Sequence, residues 1–302
     1  MMQYMQVPSQ VEYERATSVE HALELLSRPE TRVVAGGHSL IPMMKLRLAQ
    51  PEVLVDINGL TELAFITLDG GQLRIGAMAR HADLLDSAVA AGLFPIFADA
   101  ERVVADPIVR LWGTVGGSLC QADPSEDLSA AFAAARAIAV IRGRDGNRTV
   151  PVREFHLGPY ETVIGPGELL AEVRVPVRPG TGSAYQKVAR RVGDWSIAAA
   201  GAVLHLQGTP ERPVIKAAGL GLTAVGAEHF VAAEAEEFLR NRAPDEESFT
   251  RAGAIAAEHC HPVADQRGPQ DYKRHLVAEL TTRALRLAAG RADVAGRAGS
   301  RV

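Results

Sequence analysis

Two glycine pairs constrain this chain more than anything else in it. They stand in Ala35-Gly36-Gly37-His38-Ser39-Leu40 and in Gly113-Thr114-Val115-Gly116-Gly117-Ser118-Leu119. Adjacent glycines weaken the interior of a helix or strand, because they lose the most backbone freedom on folding and bring no side chain to pack. Each pair therefore marks a tight turn or a close approach by another group. The first follows Arg32-Val33-Val34-Ala35, which reads as a short buried strand. Ser39, Thr114 and Ser118 add hydroxyls beside the glycines. A diphosphate needs several backbone N–H donors at close range, and two such loops can cradle one from opposite sides. Either pair taken alone also fits an ordinary tight turn.

An acidic segment, Asp123-Pro124-Ser125-Glu126-Asp127-Leu128, follows the second pair. Asp127 suits the N-cap of a helix over 128–136. It equally suits a cofactor hydroxyl or ring N–H, and the two roles do not exclude each other. Other nucleotide signatures fail. Gly219-Leu220-Gly221-Leu222 lacks the spacing of a dinucleotide fingerprint and leads out of a strand late in the chain, and no phosphate-binding G-x-x-x-x-G-K-[ST] occurs.

Periodicity and turn residues divide the chain into α+β parts. Thr17 with Glu20 resembles a capping box opening a helix that stops near Pro29. Strands at 32–35 and 53–57 flank the first glycine loop and suit parallel pairing. In 61–178, strands are expected at 73–77, 137–141, 148–152 and 172–176. Helices are expected at 82–91 and 94–105, with Asp145-Gly146 as a hairpin turn. Pro179-Gly180-Thr181-Gly182 is the best linker. Beyond it, strands at 183–191, 196–207 and 213–223 precede helices at 227–241, 245–260 and 270–289, a separate α+β domain. The division is 1–178 (as 1–60 and 61–178) and 183–288, with 289–302 as a frayed tail.

With 302 residues, 47% hydrophobic and 23% charged, the chain can bury a core without disulfide or metal staples. A net charge of −4, without a run of like charges, argues against nucleic acid as a partner. Cys120 and Cys260 are the only cysteines, too few for a disulfide framework or an iron–sulfur cluster, and they point to a reducing compartment. The first residues, from Met1 to Pro8, do not read as a secretion leader, and no run of 18 apolar residues suggests a membrane span. A cytoplasmic protein is expected. His259-Cys260-His261 lacks the spacing of metal ligands, so no metal site is read there.

Residues 35–47, Ala-Gly-Gly-His-Ser-Leu-Ile-Pro-Met-Met-Lys-Leu-Arg, closely resemble the first FAD loop of the medium, flavoprotein subunits of aerobic carbon monoxide dehydrogenases. Thr114-Val115-Gly116-Gly117-Ser118, with Asp123-Pro124 and Asp127 after it, resembles their second FAD loop. Tyr185-Gln186-Lys187 with Arg190-Arg191-Val192-Gly193-Asp194-Trp195 resembles the start of their C-terminal domain. These are FAD-binding medium subunits of the xanthine dehydrogenase family of molybdenum hydroxylases, and the resemblance covers roughly residues 5–288.

The resemblance implies a two-part FAD domain like that of vanillyl-alcohol oxidases, followed by a small antiparallel sheet carrying helices. Ala35, Gly36, Gly37, His38, Ser39 and Leu40 would face the diphosphate from one side, and Thr114, Val115, Gly116, Gly117 and Ser118 from the other. Asp127 would hydrogen-bond the cofactor. Leu170 and Cys120 would lie against the flavin region, and Lys187 would sit near the isoalloxazine and stabilise its reduced anion. Tyr185 would shield the flavin or fill the domain boundary. The family pattern has a polar Asn-Arg pair where this chain has Leu111-Trp112.

Implied partners are a small subunit with two [2Fe–2S] clusters and a large subunit with the molybdenum cofactor, arranged as a dimer of heterotrimers. The implied activity is that of an oxidoreductase component that takes electrons from the clusters and passes them to an external acceptor. The competing reading is a stand-alone flavin oxidoreductase. That would need an acid or base beside the flavin, and the sequence offers no convincing one.

Overall fold

A computed structural model describes residues 7–292, so Met1–Gln6 and most of the expected tail, 293–302, lie outside it. The first part of the chain runs β1 (Glu12–Arg15), α1 (Val19–Leu25), β2 (Thr31–Val34), α2 (Leu40–Lys45) and β3 (Val53–Asp56). The strands form a parallel sheet of order β1-β3-β2, with Val33 opposite Val55. Val19, Ala22 and Leu23 of α1 cover the sheet together with Met78, Leu169 and Ala171 from the next part. The cap of α1 is Ser18, not Thr17: its side chain accepts from the His21 amide. Thr17 instead turns its hydroxyl to the His21 ring.

The second part contains β4 (Ile66–Asp69), β5 (Gln72–Gly76), α3 (His81–Asp86), α4 (Ala88–Leu93), α5 (Pro95–Val103), α6 (Pro107–Trp112), α7 (Val115–Gln121) and α8 (Asp127–Ala134). After these come β6 (Ile138–Gly143), β7 (Gly146–Pro151), β8 (His156–Gly158), β9 (Glu161–Thr162) and β10 (Leu169–Pro176). An antiparallel sheet of order β4-β5-β10-β6-β7 packs under α5, α7 and α8 around Phe94, Phe97, Phe132 and Phe155. The expected helix at 82–91 is two helices, because Ser87 leaves the helical region and caps α4 through the Ala90 amide. The hairpin turn falls one residue early: Gly143 pairs with Gly146, so Arg144-Asp145 make the turn. Gly146, at φ +123°, opens the return strand.

The third part is an antiparallel sheet of order β11-β12-β13 (Thr181–Ala189, Ser196–Thr209, Arg212–Thr223) carrying α9 (Ala233–Leu239), α10 (Glu246–Glu258) and α11 (Gln270–Arg291). The expected helix from 227 begins only at Ala233, because His229 and Phe230 take positive φ. The expected fraying from 289 does not begin there, since α11 continues to Arg291.

Helix α8 lies directly on β13. A Cβ at Gly219 would stand 1.9 Å from the Ala134 carbonyl, and one at Gly221 2.0 Å from that of Ala130. These glycines thus have a packing reason: they let a helix of the second part touch a strand of the third. Glu236 locks the same joint, accepting from Arg153 and Arg136 and from the Leu220 amide.

Candidate cofactor site

Where β2 ends, Gly37 takes φ +75°, a left-handed conformation that favours glycine. Among the described residues, none of the amides from Gly36 to Leu40 donates to another group in the chain. They form a short row of free N–H donors, and His38 and Ser39 are exposed. The second glycine pair opens α7, capped by Thr114, whose hydroxyl accepts from the Gly117 amide at 3.0 Å.

The two loops touch. A Cβ at Gly36 would lie 2.3 Å from the Trp112 carbonyl, and one at Gly116 2.6 Å from the Ala77 Cβ. Asn58 donates to the Ala35 carbonyl at 2.7 Å, and Arg80 donates both to Asn58 and to the Trp112 carbonyl. Asn58 and Arg80 therefore brace both loops, and no local pattern marked either one. The Leu111-Trp112 departure falls at this contact. There Trp112 acts through its backbone, and the residue is 57% exposed.

Between the loops and the third part lies one cavity of about 730 Å³, inside the roughly 300–1,000 Å³ of small-molecule and cofactor sites. Every residue expected at the site lines it except Val115. Val115 is fully buried, and its amide is spent on the Ala79 carbonyl, so it serves the core. Leu170 reaches the cavity from β10 beside an irregularity at Ala171. Cys120 lines it too, its thiol pushed up to about 12 by burial.

Asp127 is not the helix cap. Glu126 is, through the Ser129 amide. Asp127, buried, accepts instead from Lys187 Nζ at 2.7 Å, Tyr185 Oη at 2.9 Å and Ser196 Oγ at 3.0 Å. Burial raises its carboxyl above the ordinary value, with Lys187, Tyr185 and Ser196 working against that. Lys187 is thus a buried cation held by Asp127 and by the Val103 carbonyl, at the cavity wall. Tyr185, 3% exposed, does not line the cavity and packs into the core around Phe94, Phe97 and Phe132.

Acid–base groups to which the sequence assigned no role appear here. His81 and Glu126 line the cavity. Glu101 stands behind His81, its Oε1 3.0 Å from Nδ1. Burial pushes Glu126 up to about 7, against the hydrogen bonds from Ser129. No spacing could have joined His81 of α3, Glu101 of α5 and Glu126, the cap of α8.

Glycine-lined close approach, a row of free amides and a cavity of this size fit a dinucleotide cofactor. Comparisons agree. The model of the FAD binding domain in molybdopterin dehydrogenases matches residues 9–178, and that of the CO dehydrogenase flavoprotein C-terminal domain matches residues 183–288. The chain is 37% identical to the carbon monoxide dehydrogenase medium chain of Afipia carboxidovorans, over 95% of this chain and 99% of that one. It is 32% identical to the glyceraldehyde dehydrogenase medium chain of Sulfolobus acidocaldarius, over 92% and 98%. A chain of the solved, reconstituted CO dehydrogenase from Oligotropha carboxidovorans superposes with a TM-score of 0.89 at 38% identity, covering 95% of this chain and all of that one. One from quinoline 2-oxidoreductase of Pseudomonas putida 86 gives 0.86 at 32% identity, covering 94% and 98%.

Proposed function

Because the chain belongs to the FAD-binding medium subunits of molybdenum hydroxylases, we propose that it is the station through which electrons leave such a complex. A small partner subunit would supply two [2Fe–2S] clusters and a large one the molybdenum cofactor, in a dimer of heterotrimers. The observation that supports this best is the cavity between the glycine loops, together with only two cysteines in the whole chain. Both are free thiols, which fits a cytoplasmic complex. A cluster takes four thiolates, or two with two histidines.

FAD supplies the redox chemistry, accepting electrons and releasing them to the external acceptor. The chain's own residues bind and orient it. Gly36 to Leu40 offer amides to its diphosphate. Gly116 and Gly117 let the second loop come near, and Leu170 and Cys120 present an apolar wall. The Asp127–Lys187 pair fixes the wall where α8 meets β11.

The test is an assembled complex stripped of FAD. Substrate should still reduce the clusters, while transfer to the external acceptor stops and returns on adding FAD. If this chain, alone with FAD, oxidises the same substrate at the complex's rate, the stand-alone reading replaces ours.

A further inference from the structure

We propose that His81 is a further cofactor-binding residue, the cationic group through which the second glycine loop meets the diphosphate. The inference rests on the assignment of the cavity to FAD.

It begins from a shortage of donors. The amides of Val115 and Gly116 are bound to the carbonyls of Ala79 and Ala77, at 2.9 and 2.8 Å. Those of Gly117 and Ser118 are bound to the Thr114 side chain and carbonyl. The second loop thus reaches the cavity with glycine space and the Ser118 hydroxyl, and no free amide among these four. The first loop brings its amides with the exposed side chains of His38 and Ser39, and Arg32 of β2 lines the same cavity. A diphosphate is strongly anionic, and hydrogen bonds from a charged donor are about twice as strong as neutral ones.

His81 is built for this task. Its Nε2 is 3.4 Å from Ser118 Oγ, and that hydroxyl makes no other hydrogen bond among the described residues. Its Nδ1 is 3.0 Å from Glu101 Oε1, which fixes the ring and directs Nε2 to the second loop. Gly113 packs on the ring, where a Cβ would come within 2.6 Å of Cδ2. Lys187, the lysine at the cavity wall, is already neutralised by Asp127.

The charged groups acting on His81 are Glu101 from α5, Glu126 from the cap of α8 and Arg110 from α6. Burial opposes a charged ring, but the two glutamates outweigh it and Arg110, and the imidazole is held above its ordinary value. Burial also pushes the Glu101 carboxyl up. At 3.0 Å, Nδ1 and Oε1 are close enough to pass one proton between them, and an anion arriving beside Nε2 favours imidazolium with carboxylate. Among the described residues, Glu101 Oε2 and Glu126 Oε1 are buried without a hydrogen-bond partner, which leaves both acids able to respond.

The test uses the full-length chain with labelled histidine, followed by NMR across pH, first with inorganic pyrophosphate and then with FAD. Each should raise the His81 titration midpoint. H81N should bind both about tenfold more weakly with a flatter pH dependence, and E101Q should move that dependence to lower pH. An unmoved His81 midpoint while FAD binds would overturn the inference and leave the FAD assignment standing. H81N binding both ligands like the wild type would overturn it too. A midpoint moved by pyrophosphate in a chain that does not take up FAD would keep the diphosphate role and remove the flavin.

Discussion

Asp127 and Lys187 lie 60 residues apart in the chain and 2.7 Å apart in space, an ion pair whose side chains are 6% and 4% exposed. The pair ties α8 to β11 at the wall of the cavity. Removing one partner leaves the other buried and uncompensated. Lys187→Met should cost about 3–5 kcal/mol of stability. Restoring neutrality with Asp127→Asn in the same chain should recover much of it. Urea unfolding of both single variants and the double variant reads the coupling directly. Independent, additive losses would show that the pair is not a unit.

Glu126 gives a pH dependence with a definite sign. Its folded value is about 7, against an ordinary 4.5. Between those values the folded state keeps a proton that the unfolded state has lost. Stability from this group therefore falls as pH rises through that window and levels off above it. The fall amounts to about 3 kcal/mol. E126Q should flatten the stability curve there, because its amide oxygen can still cap α8. An unchanged slope in E126Q would refute the assignment.

The two loops make different demands on their glycines. A Cβ at Gly36 meets the Trp112 backbone at 2.3 Å, whereas one at Gly117 meets only the Thr114 hydroxyl, at 2.8 Å. Gly36→Ala should destabilise the chain by about 3 kcal/mol, the upper end for overpacking, and lose FAD. Gly117→Ala should melt near the wild type yet bind FAD more weakly. Thermal melts and FAD titrations of the two variants check this. Equal melting losses would mean that the Trp112 contact carries no special weight.

Cys120 faces the cavity with its thiol raised to about 12. Alkylation at pH 8 should be slow in the folded chain and fast once it is unfolded, since the thiolate is the reactive form. Rapid native labelling of Cys120 would contradict a thiol held so high.

Much of this was legible in the sequence, for reasons that differ by element. The parallel β2–β3 pair and the three-strand, three-helix third part followed from apolar runs bounded by turn residues. The glycine loops were visible because close approach needs glycine whatever surrounds it. Capping was misread at both Thr17 and Asp127, each time by one residue, because neighbouring side chains of similar chemistry compete for the same amide and the backbone angle decides. For Asp127 the error hid its real partners, Tyr185, Lys187 and Ser196, which only tertiary structure brings near. Gly219 and Gly221 were recognised as failing one motif, but their packing against α8 had no local signal. His81 and Glu101 come from two helices and Glu126 from the cap of a third, and they meet only in the fold.

The most direct test of the account is the visible absorption of the purified full-length chain after incubation with FAD and removal of unbound nucleotide, alone and with its partner chains. Flavin absorption at one FAD per chain is expected, and its loss in Gly36→Ala. A correctly folded wild-type chain that stays colourless in both settings would contradict it.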